Sequence, residues 1–307
     1  MARSRVCRRR VRNRRLAALA LLVGGVLALA QLAQAGEEGP LDPAAFARGA
    51  CVAYAPTAGD RGETVFIDAG HGGIDPGGVG ETQSGAAIEE KDVTLPIELD
   101  AMALLRADGF RVVVSRTADT TVVRLRAADV VDGTLSLRGV HDDVAARDRC
   151  ANLAGARALV GVYFDASSSP AYAGSLTAYD AARRFAGANR RLAALLQRDV
   201  LAAMNARGWA IPDDGVLADS GLGSSDGDPA SGGLAARADS YDHLLLLGPA
   251  RRGFFASPSE MPGAVIEPLY ITDPFEGTIA ASSAGQRVIA RGIARAVERF
   301  LGAAGRP

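Results

Sequence analysis

Apolar and polar positions along the chain alternate between short apolar runs and longer stretches with a helical period. Thr64–Asp68 is a short apolar run followed by glycines, the pattern of a buried strand. From Asp92 to Asp108 apolar residues recur at helical spacing and stop before Gly109, which predicts a helix. Phe110–Ser115 reads as the next strand, Val144–Ala156 as a helix, and Leu159–Phe164 and Ser175–Tyr179 as strands. Ala182–Arg207 is one long helix with Phe185, Leu192, Leu195 and Leu196 on one face. Gly215–Ala238, rich in Gly, Ser and Asp, is expected to be a loop that either rims a cleft or lies on the surface. Leu244–Leu247 and Ala264–Ile266 read as strands and Gln286–Leu301 as a closing helix, while residues 117–142 give no clear period. Strands alternating with helices predict an α/β fold: a single domain with a twisted, largely parallel sheet flanked by helices. That domain is expected over residues 63–303, with 36–62 as an irregular leader.

The first 35 residues follow a different pattern. Residues 1–15 hold eight arginines and no acid, Leu16–Leu32 is almost wholly apolar, and Ala33-Gln34-Ala35 offers small residues around one polar one. This is the order of a secretory signal peptide cleaved after Ala35. The alternative is an uncleaved anchor, since 17 residues stand at the lower edge of spanning length. Export puts the protein in the cell envelope or outside the cell, with membrane contact only if the segment is kept. The arginine runs leave the general and the twin-arginine routes both open.

Cleavage changes the charge. The whole chain has 34 basic and 35 acidic residues; without the eight leading arginines 26 basic residues face 35 acidic ones, a formal charge of −9. Such an acidic protein with scattered arginines is excluded as a general nucleic-acid binder. Cys7 leaves with the segment, so Cys51 and Cys150 remain, and an exported protein with two cysteines suggests one disulfide. Two separate buried thiols are the alternative. No CxxC pair occurs, which excludes a structural zinc knuckle.

The predicted architecture also makes a positional statement about chemistry. Ligands of open α/β sheets sit beyond the carboxyl ends of the strands. His71 follows the strand ending at Asp68, Tyr163 and Asp165 close the strand that starts near Leu159, and Glu267 follows Ala264-Val265-Ile266. Three strand ends thus offer polar side chains to one cleft. Taken singly, His71 reads as a turn residue, Glu267 as a cap, and Glu89 and Glu90 as helix N-terminal acids worth about 0.3–1 kcal/mol. The glycine-rich loop lacks both the G-x-x-x-x-G-K-[ST] and the G-x-G-x-x-G spacing of phosphate cradles, and no G-x-S-x-G elbow is present.

Together these residues resemble the zinc-dependent N-acetylmuramoyl-L-alanine amidases of the amidase_3 type, exported cell-wall hydrolases. "IDAGHGGIDPGG" (Ile67–Gly78) is similar to their opening motif and "EEKDVTL" (Glu89–Leu95) to the segment carrying a second ligand, here Glu90. "SRTAD" (Ser115–Asp119) and "RDRCAN" (Arg147–Asn152) resemble interior landmarks, and "MPGAVIEPLY" (Met261–Tyr270) the late segment with the catalytic Glu, here Glu267. The likeness runs over about residues 64–302.

The resemblance implies one zinc held by two His and one Glu, with water in the fourth position. That water would attack the amide between N-acetylmuramic acid and L-alanine in peptidoglycan, with Glu267 as general base and then acid. Where the family has its second metal His, this chain has Tyr163, in Gly161-Val162-Tyr163-Phe164-Asp165. Tyr163 itself, Asp165 on the same strand face, and His141 ahead of the Val144 helix are the candidates to replace that ligand or donate to the oxyanion. Three functions follow: a working zinc amidase on peptidoglycan or muropeptides, expected as a monomer; an inactive relative that binds peptidoglycan or regulates another hydrolase; and a metal-free hydrolase or transferase acting on another envelope amide.

Overall fold

The computed structural model describes residues 38–220, 222 and 241–302. The expected signal segment and most of the Gly215–Ala238 stretch therefore lie outside the described residues. No helix among the described residues is long and apolar enough to cross a membrane.

Eight strands form the central sheet: β1 (Gly39–Pro40), β2 (Ala50–Tyr54), β3 (Thr64–Ala69), β4 (Arg111–Arg116), β5 (Ala158–Val162), β6 (Ser175–Tyr179), β7 (Asp213–Ala218) and β8 (Gly263–Glu267). Their spatial order is β1-β2-β4-β3-β5-β8-β6-β7. The four central strands β4, β3, β5 and β8 run parallel. At one side β2 pairs antiparallel with β4 and β1 with β2; at the other β6 runs antiparallel to β8 and carries β7 parallel to itself. The sheet is thus parallel through its middle, as expected of strands buried on both faces.

Alternation along these strands feeds two cores. Val65 and Ile67 point to the face covered by α1 (Glu90–Ala107), α3 (Ala186–Asn205) and α5 (Ser283–Gly302). Phe66, Leu159 and Val265 point to the other face, against α2 (Leu137–Leu153) and the Leu246–Leu247 segment. A short helix, α4 (Pro274–Ala281), precedes α5. From β3 the chain crosses by α1 to β4 on one side, then by α2 to β5 on the other. Strand order therefore reverses between β3 and β5, the place where α/β sheets open a crevice.

Four expectations need correction. The leader is not irregular throughout: residues 50–54 form β2, because their backbone completes the edge of β4, and Gly39 onward belongs to one unit with the rest of the sheet. As expected, Cys51, now in β2, is bonded to Cys150 of α2 across a 5.6 Å Cα separation, 99 residues apart in sequence. Helix α2 starts seven residues early, since Ser136 Oγ accepts from Gly139 N at 3.1 Å and caps its first turn. Leu244–Leu247 is a turn, not a strand, with Leu247 N and Gly248 N both donating to Leu244 O. Finally, the expected loop after Gly215 begins as the edge strand β7, whose exposure hides any apolar alternation.

Candidate functional site

His71 stands in the loop directly after β3, and its backbone is left-handed, with φ of 61°. A bulky residue in that region costs on the order of 1–3 kcal/mol, so its surroundings must impose it. They do so through two buried arginines. Arg147 of α2 donates to the carbonyls of Ala69 at 2.6 Å and His71 at 2.8 Å. Arg116, the last residue of β4, donates to the carbonyls of Ala69, Gly70 and Lys91. Beyond His71 the chain folds back, with Gly72 N donating to Asp75 O at 3.0 Å. Gly73 N donates to Asp119, whose other oxygen pairs with Lys91. The two interior sequence landmarks are thus the clamps that shape the His71 loop.

The His71 ring is fixed from both sides. Its Nδ1 lies 2.9 Å from Asp75 Oδ2 and its Nε2 lies 3.2 Å from Glu90 Oε2. Glu90 opens α1, and burial leaves it only 3% exposed. Its Oε2 accepts from Gly78 N and its Oε1 from Phe164 N, both at 2.8 Å. Burial lowers the His71 pKa, but Glu90 and Asp75 outweigh it and push the imidazole up to about 10.

Tyr163 follows β5 and packs edge-on against the His71 ring, centroids 5.5 Å apart. Its hydroxyl donates to Asp68 Oδ2 at 3.0 Å, while Asp68 Oδ1 accepts from Arg147 at 2.6 Å. Burial and the Asp68 charge hold the phenol well above its ordinary pKa. The ring runs across Gly70, where a Cβ would stand 2.5 Å from Tyr163 Cδ1, so only glycine fits there.

Asp165 and Glu267 meet across the neighbouring strand ends. Their side chains share a hydrogen bond, and Glu267 also feels the charges of Glu90 and His71. Burial, then Asp165, raises the Glu267 carboxyl well above the usual range, with His71 opposing. The shift favours a proton on the pair. An apolar cavity of about 120 Å³ adjoins it, lined by Tyr163, Glu267, Val144, Val265 and Leu244–Leu246. A larger cavity of about 540 Å³ lies elsewhere, between α3 and β7, away from these groups.

His141 does not join them. It sits inside α2 rather than ahead of a helix, with Nε2 bonded to Phe254 O at 2.8 Å and Nδ1 near Asp142. Asp75, Asp68, Arg116 and Arg147 are the site residues that sequence reasoning passed over. A carboxylate four residues after the histidine was a readable signal for the first; the others gain their roles only through contacts from distant strands and helices.

The donors can be tested against the zinc that the sequence motifs imply. Two donors at 2.0–2.2 Å from one tetrahedral ion stand roughly 3.3–3.6 Å apart, and His71 Nε2 and Glu90 Oε2 come near that spacing. Gly77 leaves room beside them: a Cβ there would lie 2.5 Å from His71 Cδ2 and 2.7 Å from Glu90 Oε2. An imidazole and a carboxylate facing each other over a glycine fit two positions of a zinc site. At the position where the sequence resemblance implies a second imidazole, Tyr163 bonds to Asp68.

Residues 65–299 match the model of a family described as Amidase_3, N-acetylmuramoyl-L-alanine amidase. No curated protein matches the chain in sequence. Among solved structures, the fold is similar to N-acetylmuramoyl-L-alanine amidase AmiC2 of Nostoc punctiforme, with TM-score 0.53, 23% identity, and 80% of this chain and 99% of that chain covered. It is similar to the amidase from Clostridium difficile 630, with TM-score 0.53, 24% identity, and 79% and 98% covered. The CwlD amidase from Clostridioides difficile, in complex with the GerS lipoprotein, gives TM-score 0.57 at 18% identity, with 78% and 99% covered.

Proposed function

The chain belongs to the Amidase_3 family of N-acetylmuramoyl-L-alanine amidases, and from that premise we propose that it is a zinc-dependent peptidoglycan hydrolase with an altered metal site. The observation that carries this reading is the facing pair of His71 Nε2 and Glu90 Oε2, 3.2 Å apart beside Gly77. His71 and Glu90 would hold the ion. When bound, zinc supplies an activated water and polarises the amide carbonyl between N-acetylmuramic acid and L-alanine.

The remaining steps belong to the protein's own groups. Asp75 would keep a hydrogen on His71 Nδ1 once Nε2 gives up its own to ligate. Glu267, hydrogen-bonded to Asp165, would take a proton from the attacking water and return it to the leaving amine. Tyr163 walls the cleft; with its hydrogen on Asp68 it is a spacer in this arrangement and not an oxyanion donor. Val144, Val265 and Leu244–Leu246 form an apolar wall beside Glu267.

One observation favours a second reading, an inactive protein that binds peptidoglycan: the phenol in the place of a ligand. Turnover separates the two. Purified protein would be given a defined muramoyl-peptide with zinc and, separately, with chelator, and products followed by mass spectrometry. Free L-alanyl peptide released only with zinc establishes the amidase. Binding without release in either arm establishes the alternative.

A further inference from the structure

A second cluster of metal-type donors lies at the other end of the sheet. Asp180 follows β6 and Asp219 follows β7, side by side, because Tyr179 pairs with Ala218 and Asp219 N donates to Tyr179 O at 2.9 Å. Since β6 is antiparallel to β8 and Leu176 pairs with Glu267, Asp180 lies four residues along β6 from that pairing. Four residues of strand measure roughly 13 Å. The cluster is therefore separate from the His71 cleft. His243 completes it from the Tyr241–Gly248 segment that covers the α2 face. Among the described residues this is the group of three His, Cys, Asp or Glu whose donor atoms all lie within 4.8 Å of one another.

The hydrogen bonds within the cluster do not close. Both carboxylates are wholly buried. Asp180 Oδ1 accepts from the backbone of Ala182 and Arg183, and Asp219 Oδ2 accepts from Leu244 N. The two remaining oxygens, Asp180 Oδ2 and Asp219 Oδ1, both approach one nitrogen, His243 Nδ1, at 2.9 and 3.3 Å. One ring nitrogen carries at most one hydrogen and cannot serve both. The hydrogen bond goes to Asp219, and Asp180 Oδ2 is left buried with no hydrogen-bond donor. Such a group in a native interior calls for a ligand. Oxygen-to-nitrogen separations of this size are those of donors about 2.0–2.2 Å from a shared ion at angles of roughly 90–110°.

We propose that Asp180 Oδ2, Asp219 Oδ1 and His243 Nδ1 bind a second divalent transition-metal ion, structural in role and distinct from the cleft. Two carboxylate oxygens and one imidazole suit zinc or manganese, whereas calcium takes six to eight oxygens. The ion ties the ends of β6 and β7 to the Leu244–Gly248 turn, which Arg183 holds from the other side through the carbonyls of Leu247 and Gly248. Leu244–Leu246 of that turn line the cavity beside Tyr163 and Glu267. The far site thereby fixes one wall of the cleft.

The test uses the full chain carrying His71→Ala and Glu90→Ala, which removes the cleft donors and makes the outcome independent of the function proposed above. After chelation and dialysis, zinc alone is added and bound metal is counted by mass spectrometry. The expected result is about one equivalent retained, with a melting temperature raised by ~5 °C or more at zinc a hundredfold above its Kd. Adding His243→Ala abolishes both. If that variant does not fold, Asp219→Asn, which keeps the shape of the cluster, takes its place and gives the same loss. A folded parent that binds no zinc overturns the proposal, and so does binding that survives removal of His243 or Asp219.

Discussion

The Tyr163 hydroxyl donates to Asp68 Oδ2 at 3.0 Å, and Asp68 is wholly buried with its other oxygen on Arg147. Arg147 in turn holds the His71 carbonyl. The Tyr163 phenol is thus a member of the network that imposes the left-handed His71, and it also lines the cleft beside Glu267.

That dual position separates two variants. Tyr163→Phe deletes the donor to a buried carboxylate and should cost about 1–3 kcal/mol of stability in urea denaturation. Tyr163→His returns an imidazole to the metal cleft and should tighten zinc binding at least about tenfold, read by competition titration with a chromophoric chelator. Unchanged affinity would remove Tyr163 from any account of the metal.

Under the proposed zinc reading, Asp75 would act only through His71. Asp75→Asn should weaken zinc about 10–100-fold while leaving the melting curve of the metal-free protein within about 1 kcal/mol of the parent. A loss of stability as large as the loss of affinity would mean that Asp75 is simply a loop anchor.

Glu98 gives a pH dependence. Burial, opposed by Arg116 and helped by Asp68, raises its carboxyl to about 8. The folded state therefore keeps a proton that the unfolded chain has released above its ordinary carboxylate range. Stability from this group is whole at acid pH and is lost as pH rises from about 4.5 toward 8, at about 1.4 kcal/mol per unit in mid-window. Glu98→Gln, which cannot ionise, should match the parent near pH 4 and exceed it increasingly up to pH 8. Parallel stability profiles for the two proteins would contradict this.

The Cys51–Cys150 bond closes a loop of 99 residues. Chain entropy for such a loop is worth about 4–5 kcal/mol, so the Cys51→Ala/Cys150→Ala protein should unfold at clearly lower denaturant. If turnover is measured below that midpoint it should be little changed, since the bond joins β2 to α2 and touches no cleft residue.

Much of this protein is legible along the chain. The runs at Thr64, Arg111, Ala158 and Gly263 are continuous apolar segments because those strands are buried on both faces, and that burial is written directly into residue type. His71, Glu90 and Glu267 could be named because each sits at a fixed place relative to such a strand or helix. β7 escaped notice for the opposite reason: an edge strand gains its order from a neighbour's backbone, which leaves little mark on side-chain pattern, while β2, five residues between β1 and β4, is too short a run to stand out. Leu244–Leu247 misled because four leucines covering a sheet face look like four leucines within one.

Sequence by itself determined the parallel α/β core and the polar residues at its strand ends, Tyr163 among them, because periodicity and residue chemistry are local properties. Only the tertiary structure decided how those residues pair. It turned the Tyr163 hydroxyl onto Asp68, sent His141 to Phe254, joined Asp165 to Glu267, and brought Asp180, Asp219 and His243 together from separate elements. Those outcomes depend on which buried groups compete for which partners across tens of residues, and that competition is settled only once the strands are in register.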